Sequence, residues 1–145
     1  MCVRKPILID CDPGHDDAIN LMLAFSAPDE LEVLSVTTVA GNQSLDKTTR
    51  NALRILSFLG VQVDVAAGSS KPMLRQLRSA PEVHGDSGLE GPYIAEPTLG
   101  TIPDKNAFEL MANKIRRSQD KVTLVPTGPL TNIAVFLLSY PELHD

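Results

Sequence analysis

One short passage restricts the fold of this chain more than any other. Pro6-Ile7-Leu8-Ile9 is a compact apolar run that passes directly into Asp10-Cys11-Asp12-Pro13-Gly14-His15-Asp16-Asp17-Ala18. The apolar run reads as a buried strand, and Asp16 to Phe25 reads as a helix with acids in its first turn. Pro13 and Gly14 make the turn between them, Gly14 permitting close backbone approach or an unusual dihedral. Asp16 and Asp17 suit the positive end of a helix, a placement worth a few tenths to about 1 kcal/mol each. That account leaves Asp10 and Asp12, at the end of a buried strand, unexplained. Four carboxylates within eight residues can scarcely all ionise unless a cation or hydroxyl donors compensate them. Every donor atom on offer is oxygen, which favours a hard Ca²⁺ or Mg²⁺ over zinc.

The remainder alternates strand and helix. Leu31 to Val39 reads as a central strand ending in the polar turn Ala40-Gly41-Asn42-Gln43. A helix follows from Leu45 to Leu59, with Ser44 as N-cap, an apolar stripe of Ala52, Ile55, Leu56 and Leu59, and Gly60 as its stop. Val61 to Ala67 is a third strand, closed by Gly68. From Ser69 to Lys105 periodicity fades, the mark of a lid or binding loop, and Val83-His84-Gly85-Asp86-Ser87-Gly88-Leu89 lies inside it. Lys71, Arg75 and Arg78 read there as a solvated helix face. Asn106 caps a helix from Ala107 to Ser118. Lys121 to Val125 is a fourth strand leading to Pro126-Thr127-Gly128-Pro129, and a last helix runs from Leu130 toward Pro141. Such alternation predicts right-handed crossovers in an α/β fold. The expected architecture is an open, mainly parallel, Rossmann-like sheet with helices on both faces. Residues that follow parallel strands gather along one edge, where ligands bind. Asp12, Asn42, His84 and Thr127 are therefore expected to be neighbours.

Each of these residues also has a plainer reading. Asn42 is either a turn former or a partner for hydroxyl groups. Thr127 is either a turn residue and cap or the source of a main-chain carbonyl aimed into the crevice. His84 is either a satisfied hydrogen-bonder or a proton-transfer group. His15 is expected to be tethered by the nearby acids. Cys11 reads as a small buried side chain whose thiolate the acids disfavour. At 145 residues the chain matches one domain, and its net charge of -5 argues against nucleic acid as a partner. No apolar run approaches the roughly 20 residues that span a bilayer, and Met1 to Lys5 is no signal peptide. Cys2 and Cys11 make no disulfide framework, so a reduced, cytoplasmic protein without a membrane partner is expected.

Taken together, Asp10-Cys11-Asp12-Pro13-Gly14-His15-Asp16-Asp17-Ala18 resembles the N-terminal signature of the inosine-uridine preferring nucleoside hydrolases, most of all the pyrimidine-preferring bacterial ribonucleoside hydrolases. Thr37-Thr38-Val39-Ala40-Gly41-Asn42-Gln43, His84-Gly85-Asp86-Ser87-Gly88 and Val125-Pro126-Thr127-Gly128-Pro129-Leu130-Thr131-Asn132 fall in the family's order and approximate spacing. The resemblance implies a nucleoside hydrolase-like fold that uses Ca²⁺ to split ribonucleosides (uridine, cytidine or inosine) into ribose and free base. By the same resemblance, Asp12 touches the metal and is the general base that activates a calcium-bound water. Asp17 is the main carboxylate ligand, and Thr127 ligates through its main-chain oxygen. Asp16 and Asn42 grip the ribose hydroxyls. His84 lines the nucleobase side, in substrate binding and catalysis, and Asp10 supports the ligands from behind. The full-length form is expected to be a homo-oligomer.

The family's chains are longer, so residues 1–145 are expected to be the truncated N-terminal part of a single nucleoside hydrolase α/β domain. Without the carboxylate ligand that the remainder supplies, weak calcium binding and impaired turnover are expected. Two other readings stay open. One is a Mg²⁺-dependent phosphatase of the haloacid dehalogenase type, with Asp10 as nucleophile. The other is a non-catalytic ribose- or metal-binding module, or a partner subunit completed by another chain.

Overall fold

The architecture grows from a strand that is apolar on both sides. β1 (Lys5–Cys11) sends Ile7, Ile9 and Cys11 to one face and Leu8 to the other, and all four are buried. A strand buried on both faces needs helices above and below it. In the computed structural model, which describes residues 4–91, 93–101 and 106–143, both layers are present. One is built by α1 (His15–Ser26) and α2 (Leu45–Phe58), whose Leu21, Ala24, Leu53 and Leu56 join Ile7 and Ile9. The other is built by α4 (Ala107–Arg117) and α5 (Thr131–Ser139), whose Met111, Ala112 and Phe136 pack on Leu8. β2 (Leu31–Thr38), β3 (Asp64–Ala67) and β4 (Thr123–Pro126) complete a four-stranded sheet in the order β3-β2-β1-β4. All of its pairings are parallel, as the strand-helix alternation predicts.

Two details of this sheet place the candidate residues. The chain lays β2 and β3 on one side of β1 and then returns to lay β4 on the other. The order therefore reverses at β1, and the crevice at the carboxyl ends of β1 and β4 is the topological switch point. Between β1 and β2 the register slips once: Ile7 faces Val33 but Leu8 faces Ser35, which leaves Leu34 as the extra residue of a bulge. Beyond the bulge, Asp10 lies opposite Thr37 and Cys11 opposite Thr38.

Several boundaries differ from the sequence reading. α1 begins at His15, with Gly14 in the cap position. The third strand is confined to Asp64–Ala67, because Val61 to Val63 precede the segment that pairs with β2. Residues 69–80 contain no helix, so Lys71, Arg75 and Arg78 lie on an irregular surface segment rather than a helix face. Pro72 and the absence of apolar periodicity account for this. The same long connection does hold one short helix, α3 (Pro81–His84), opened by a proline in its first turn. Ser44 occupies the cap position of α2 without a side-chain cap bond, whereas Asn106 Oδ1 accepts the Glu109 N–H at 3.0 Å. No described helix is long and apolar enough to cross a membrane.

A strand buried on both faces makes a direct prediction. Leu8→Ala and Ile9→Ala point to opposite layers, and each is expected to cost about 2–5 kcal/mol in urea denaturation. A near-zero cost for either would contradict burial of β1 on both sides.

Candidate active site at the carboxyl ends of β1 and β4

Asp12 and Asp17 face each other across the acidic turn. The Asp12 N–H donates to Asp17 Oδ2 at 2.9 Å, and both side chains are buried. The Thr127 hydroxyl lies beside the Asp17 carboxylate and favours its charged form. Asn42 holds Asp12 twice: its N–H donates to Asp12 Oδ2 at 2.7 Å and its side-chain amide donates to the Asp12 carbonyl at 3.1 Å. Glycines make this crowding feasible. A methyl group on Gly41 would fall on Asp12 Oδ2, and one on Gly128 would lie 2.9 Å from Asp12 Oδ1 and 2.8 Å from Val39 Cγ1. Three sequence candidates, Asp12, Asn42 and Thr127, are thus brought together with Asp17. Asp16 sits exposed in the first turn of α1, and its charge reaches Asp12 and Asp17.

The electrostatics follow from burial. Burial pushes Asp12 up to about 6, against the Asn42 N–H and with the help of the Asp17 and Asp16 charges. Asp17 is raised as well, again chiefly by burial. Cys11, between the acids and fully buried, is driven well above the usual thiol range by burial first and then by Asp17, Asp10 and Asp12. Its Sγ–H points to the Thr37 carbonyl at 3.6 Å, so the thiol is a packing group. The ion pairs between described residues, Arg4–Glu32, Arg50–Glu96, Lys114–Asp64 and Arg116–Glu142, involve none of these acids. Paired buried carboxylates without a basic partner are suited to a hard cation. Among the described residues no cluster of three or more His, Cys, Asp or Glu side chains is arranged to hold one. The groups brought together are the two carboxylates and the Thr127 hydroxyl beside Asp17.

Asp10 lies beneath this pair, on the face of β1 opposite Cys11. It is buried, and its Oδ1 accepts the Thr37 hydroxyl at 2.6 Å and the Asn132 amide at 2.7 Å. No hydrogen bond among the described residues reaches its Oδ2. Burial lifts this acid to about 6, against the bonds from Asn132 and Thr37. A carboxylate held this way is not presented as a nucleophile, which removes the geometric basis for the phosphatase reading.

The histidine loop is strapped onto the acidic turn. His84 is buried with its ring where a Gly14 side chain would otherwise lie. The His15 N–H points to His84 Nδ1 at 3.4 Å, and the two rings stack with centroids 5.5 Å apart. His15 is tethered by the Glu90 carbonyl, 2.6 Å from its Nε2, and not by the acids as its neighbours in sequence suggested. The buried Asn51 donates to the Pro13 carbonyl at 3.1 Å and the Ser87 carbonyl at 2.9 Å. Gln43 holds the Gly85 carbonyl at 2.9 Å, and Lys47 reaches that of Asp86. Gly85 and Gly88 have φ of 77° and 81°, a conformation that favours glycine. Asn51 and Asn132 were the functional neighbours that sequence reasoning missed. For Asn132 the available signal was a polar amide at the head of an apolar helix, whereas Asn51 follows Thr48, Thr49 and Arg50 and gave none.

The fold, the switch-point crevice and the acid pair define a class. The chain belongs to the inosine-uridine preferring nucleoside hydrolase family, whose sequence profile matches residues 7–145. It is 55% identical over 144 residues to the pyrimidine-specific ribonucleoside hydrolase RihA of Shewanella woodyi, covering 99% of this chain and 46% of that protein. It is also 55% identical over 140 residues to RihA of Klebsiella pneumoniae, covering 96% and 44%. Among solved structures, the purine-preferring ribonucleoside hydrolase from Gardnerella vaginalis superposes with a TM-score of 0.89 at 29% identity, over 97% of this chain and 46% of that one. The chain spans about half the length of the curated relatives it matches.

Gly41→Ala would set a methyl group on the Asp12 carboxylate. It is expected to cost about 1–3 kcal/mol by overpacking and to shift the Asp12 and Asn42 amide resonances. Gly100→Ala, which meets open space, is the control expected to change neither. Unmoved Asp12 and Asn42 resonances in Gly41→Ala would refute the close packing described.

Proposed function

We propose that these residues form the ribose- and cation-facing part of a nucleoside N-glycosidase site, which hydrolyses the bond between ribose and base in ribonucleosides. The observation that carries this reading is the convergence of Asp12, Asp17 and Thr127 at the switch point, in a chain of the nucleoside hydrolase family. Asp12, Asp17 and the main-chain oxygen of Thr127 would hold Ca²⁺. When bound, the ion offsets the buried negative charge and acidifies the attacking water.

The chain's own residues supply the rest. Asp12 is the general base, fixed in orientation by the Asn42 N–H and lifted by burial toward neutral pH. It takes a proton as the water oxygen bonds to the anomeric carbon and the carbon–nitrogen bond breaks. Positive charge builds on the sugar during this step, and the acids of the turn stabilise it. Asp16, exposed at the rim, and the side-chain oxygen of Asn42 accept ribose hydroxyls and hold the sugar beside the water. His84 serves the base side. With Nδ1 facing the His15 N–H, its Nε2 is left to carry a proton toward the departing base. Asp10 supports the ligands from behind. Uridine and cytidine are the proposed substrates ahead of inosine, because pyrimidine-specific relatives share 55% identity and the purine-preferring one 29%.

Ribose release from uridine, cytidine and inosine, with calcium and after chelation, tests the proposal. Release is expected to need calcium and to fall by about 10² or more in Asp12→Asn, the usual contribution of a general base. Calcium-dependent nucleoside binding without release would mark a binding module instead. Release that survives both chelation and Asp12→Asn would contradict the proposed chemistry.

A further inference from the structure

Asn132, the second residue of α5, is fully buried. Its amide is used on every side. Nδ2 donates to Asp10 Oδ1 at 2.7 Å and to the Thr38 carbonyl at 2.9 Å, and Oδ1 accepts the Ser69 N–H at 2.8 Å. Gly68 lies against this amide, where any side chain would overlap it. One side chain therefore joins the carboxyl ends of β1 and β2 to the residues that follow β3. A buried amide with donors and acceptor all engaged admits little displacement, since any shift leaves a polar group unpaired.

Its partner, residue 10, is gripped from a second direction. The Asp10 carbonyl accepts the Thr127 N–H at 2.8 Å and the Gly128 N–H at 3.3 Å, with the Thr127 hydroxyl at 3.4 Å. These groups open the turn 127–130 that leads β4 into α5, and Asn132 closes it. The turn is thus tied to residue 10 at both ends, through the carbonyl at its entry and through the side chain at its exit. Within that span, Gly128 packs on Asp12 and the Thr127 hydroxyl lies beside Asp17.

We infer that Asn132 and Asp10 form a clamp that fixes the turn 127–130 against Asp12 and Asp17, which makes Asn132 a positioning residue of the site. The clamp is independent of any ligand. Its effect on a cation rests on the function proposed above. Positioning partners behind metal ligands commonly change metal affinity about 10–100-fold when removed.

The test compares Asn132→Ala with Phe136→Leu, a buried substitution one turn along the same helix that weakens packing without touching the clamp. Amide hydrogen exchange reads the turn directly, and Tb³⁺ luminescence titration reads the cation site. After correction for global stability, Asn132→Ala is expected to speed exchange at Thr127 and Gly128 and to weaken Tb³⁺ binding about tenfold. Phe136→Leu is expected to do neither. Asp10→Ala removes the same side-chain bond from its other end, and it is expected to speed exchange at Thr127 and Gly128 as Asn132→Ala does. This comparison also decides the matter if Asn132→Ala does not fold. Exchange at Thr127 and Gly128 no faster in Asn132→Ala or in Asp10→Ala than in Phe136→Leu would overturn the clamp. Failure of the wild-type chain to bind Tb³⁺ would overturn the cation reading, while the exchange data would still judge the clamp.

Discussion

The buried carboxylates of Asp12 and Asp17, the second of them accepting the Asp12 backbone N–H, are the constraint to which the rest of the crevice conforms. That bond spans Pro13 to Asp16 and obliges β1 to end and α1 to begin within a few residues. Space for the acids comes from neighbours without side chains. Gly41 and Gly128 flank Asp12, and Gly14 gives way to the His84 ring. Each glycine belongs to a different strand-to-helix connection; those of Gly41 and Gly128 are shaped round Asp12 and that of Gly14 round His84. The cost of holding such charge out of water is lowered by N–H and O–H donors and would be lowered further by a cation.

Three side-chain amides brace the acidic turn, Asn132 and Asn51 buried and Asn42 half-buried. Asn132 lies beneath the edge and joins the ends of three strands. Asn51 lies beside it and fastens the histidine loop to Pro13. Asn42 lies above and fixes Asp12 itself. Neutral amides suit this work, because they donate to carbonyls and carboxylates without adding charge to a site already rich in it. A network satisfied in this way specifies one arrangement of the loops. That arrangement holds the acids and the histidine loop together at one edge of the sheet.

Much of this was legible in the chain itself. The apolar run into the acids, the alternation of β-branched and helical stretches, and the polar turns after strands point to the parallel sheet and to its carboxyl edge. The grouping of Asp12, Asn42 and Thr127 follows from topology alone. Hydrogen-bond partners were harder to read. His15 looked tied to its neighbouring acids, yet it is held by Glu90, 75 residues away. Asn51 and Asn132 looked like ordinary polar residues of helices, because their partners come from other elements and only folding brings them near. The stretch from residue 69 to 80 reads as partly helical because its three basic residues have helical spacing, but Pro72 interrupts it and Met73 and Leu74 stay exposed, so no buried face anchors a helix. Local pattern fixes elements, whereas the satisfaction of buried polar groups is a property of the whole fold.

We propose that the acid pair and Thr127 hold a hard cation. A crystal structure of the chain grown with calcium tests it most directly. The expected result is one ion with oxygen ligands from Asp12, Asp17 and the Thr127 main chain at about 2.3–2.6 Å. An intact turn with the Asp12–Asp17 bond preserved and no ion between these groups at saturating calcium would contradict it.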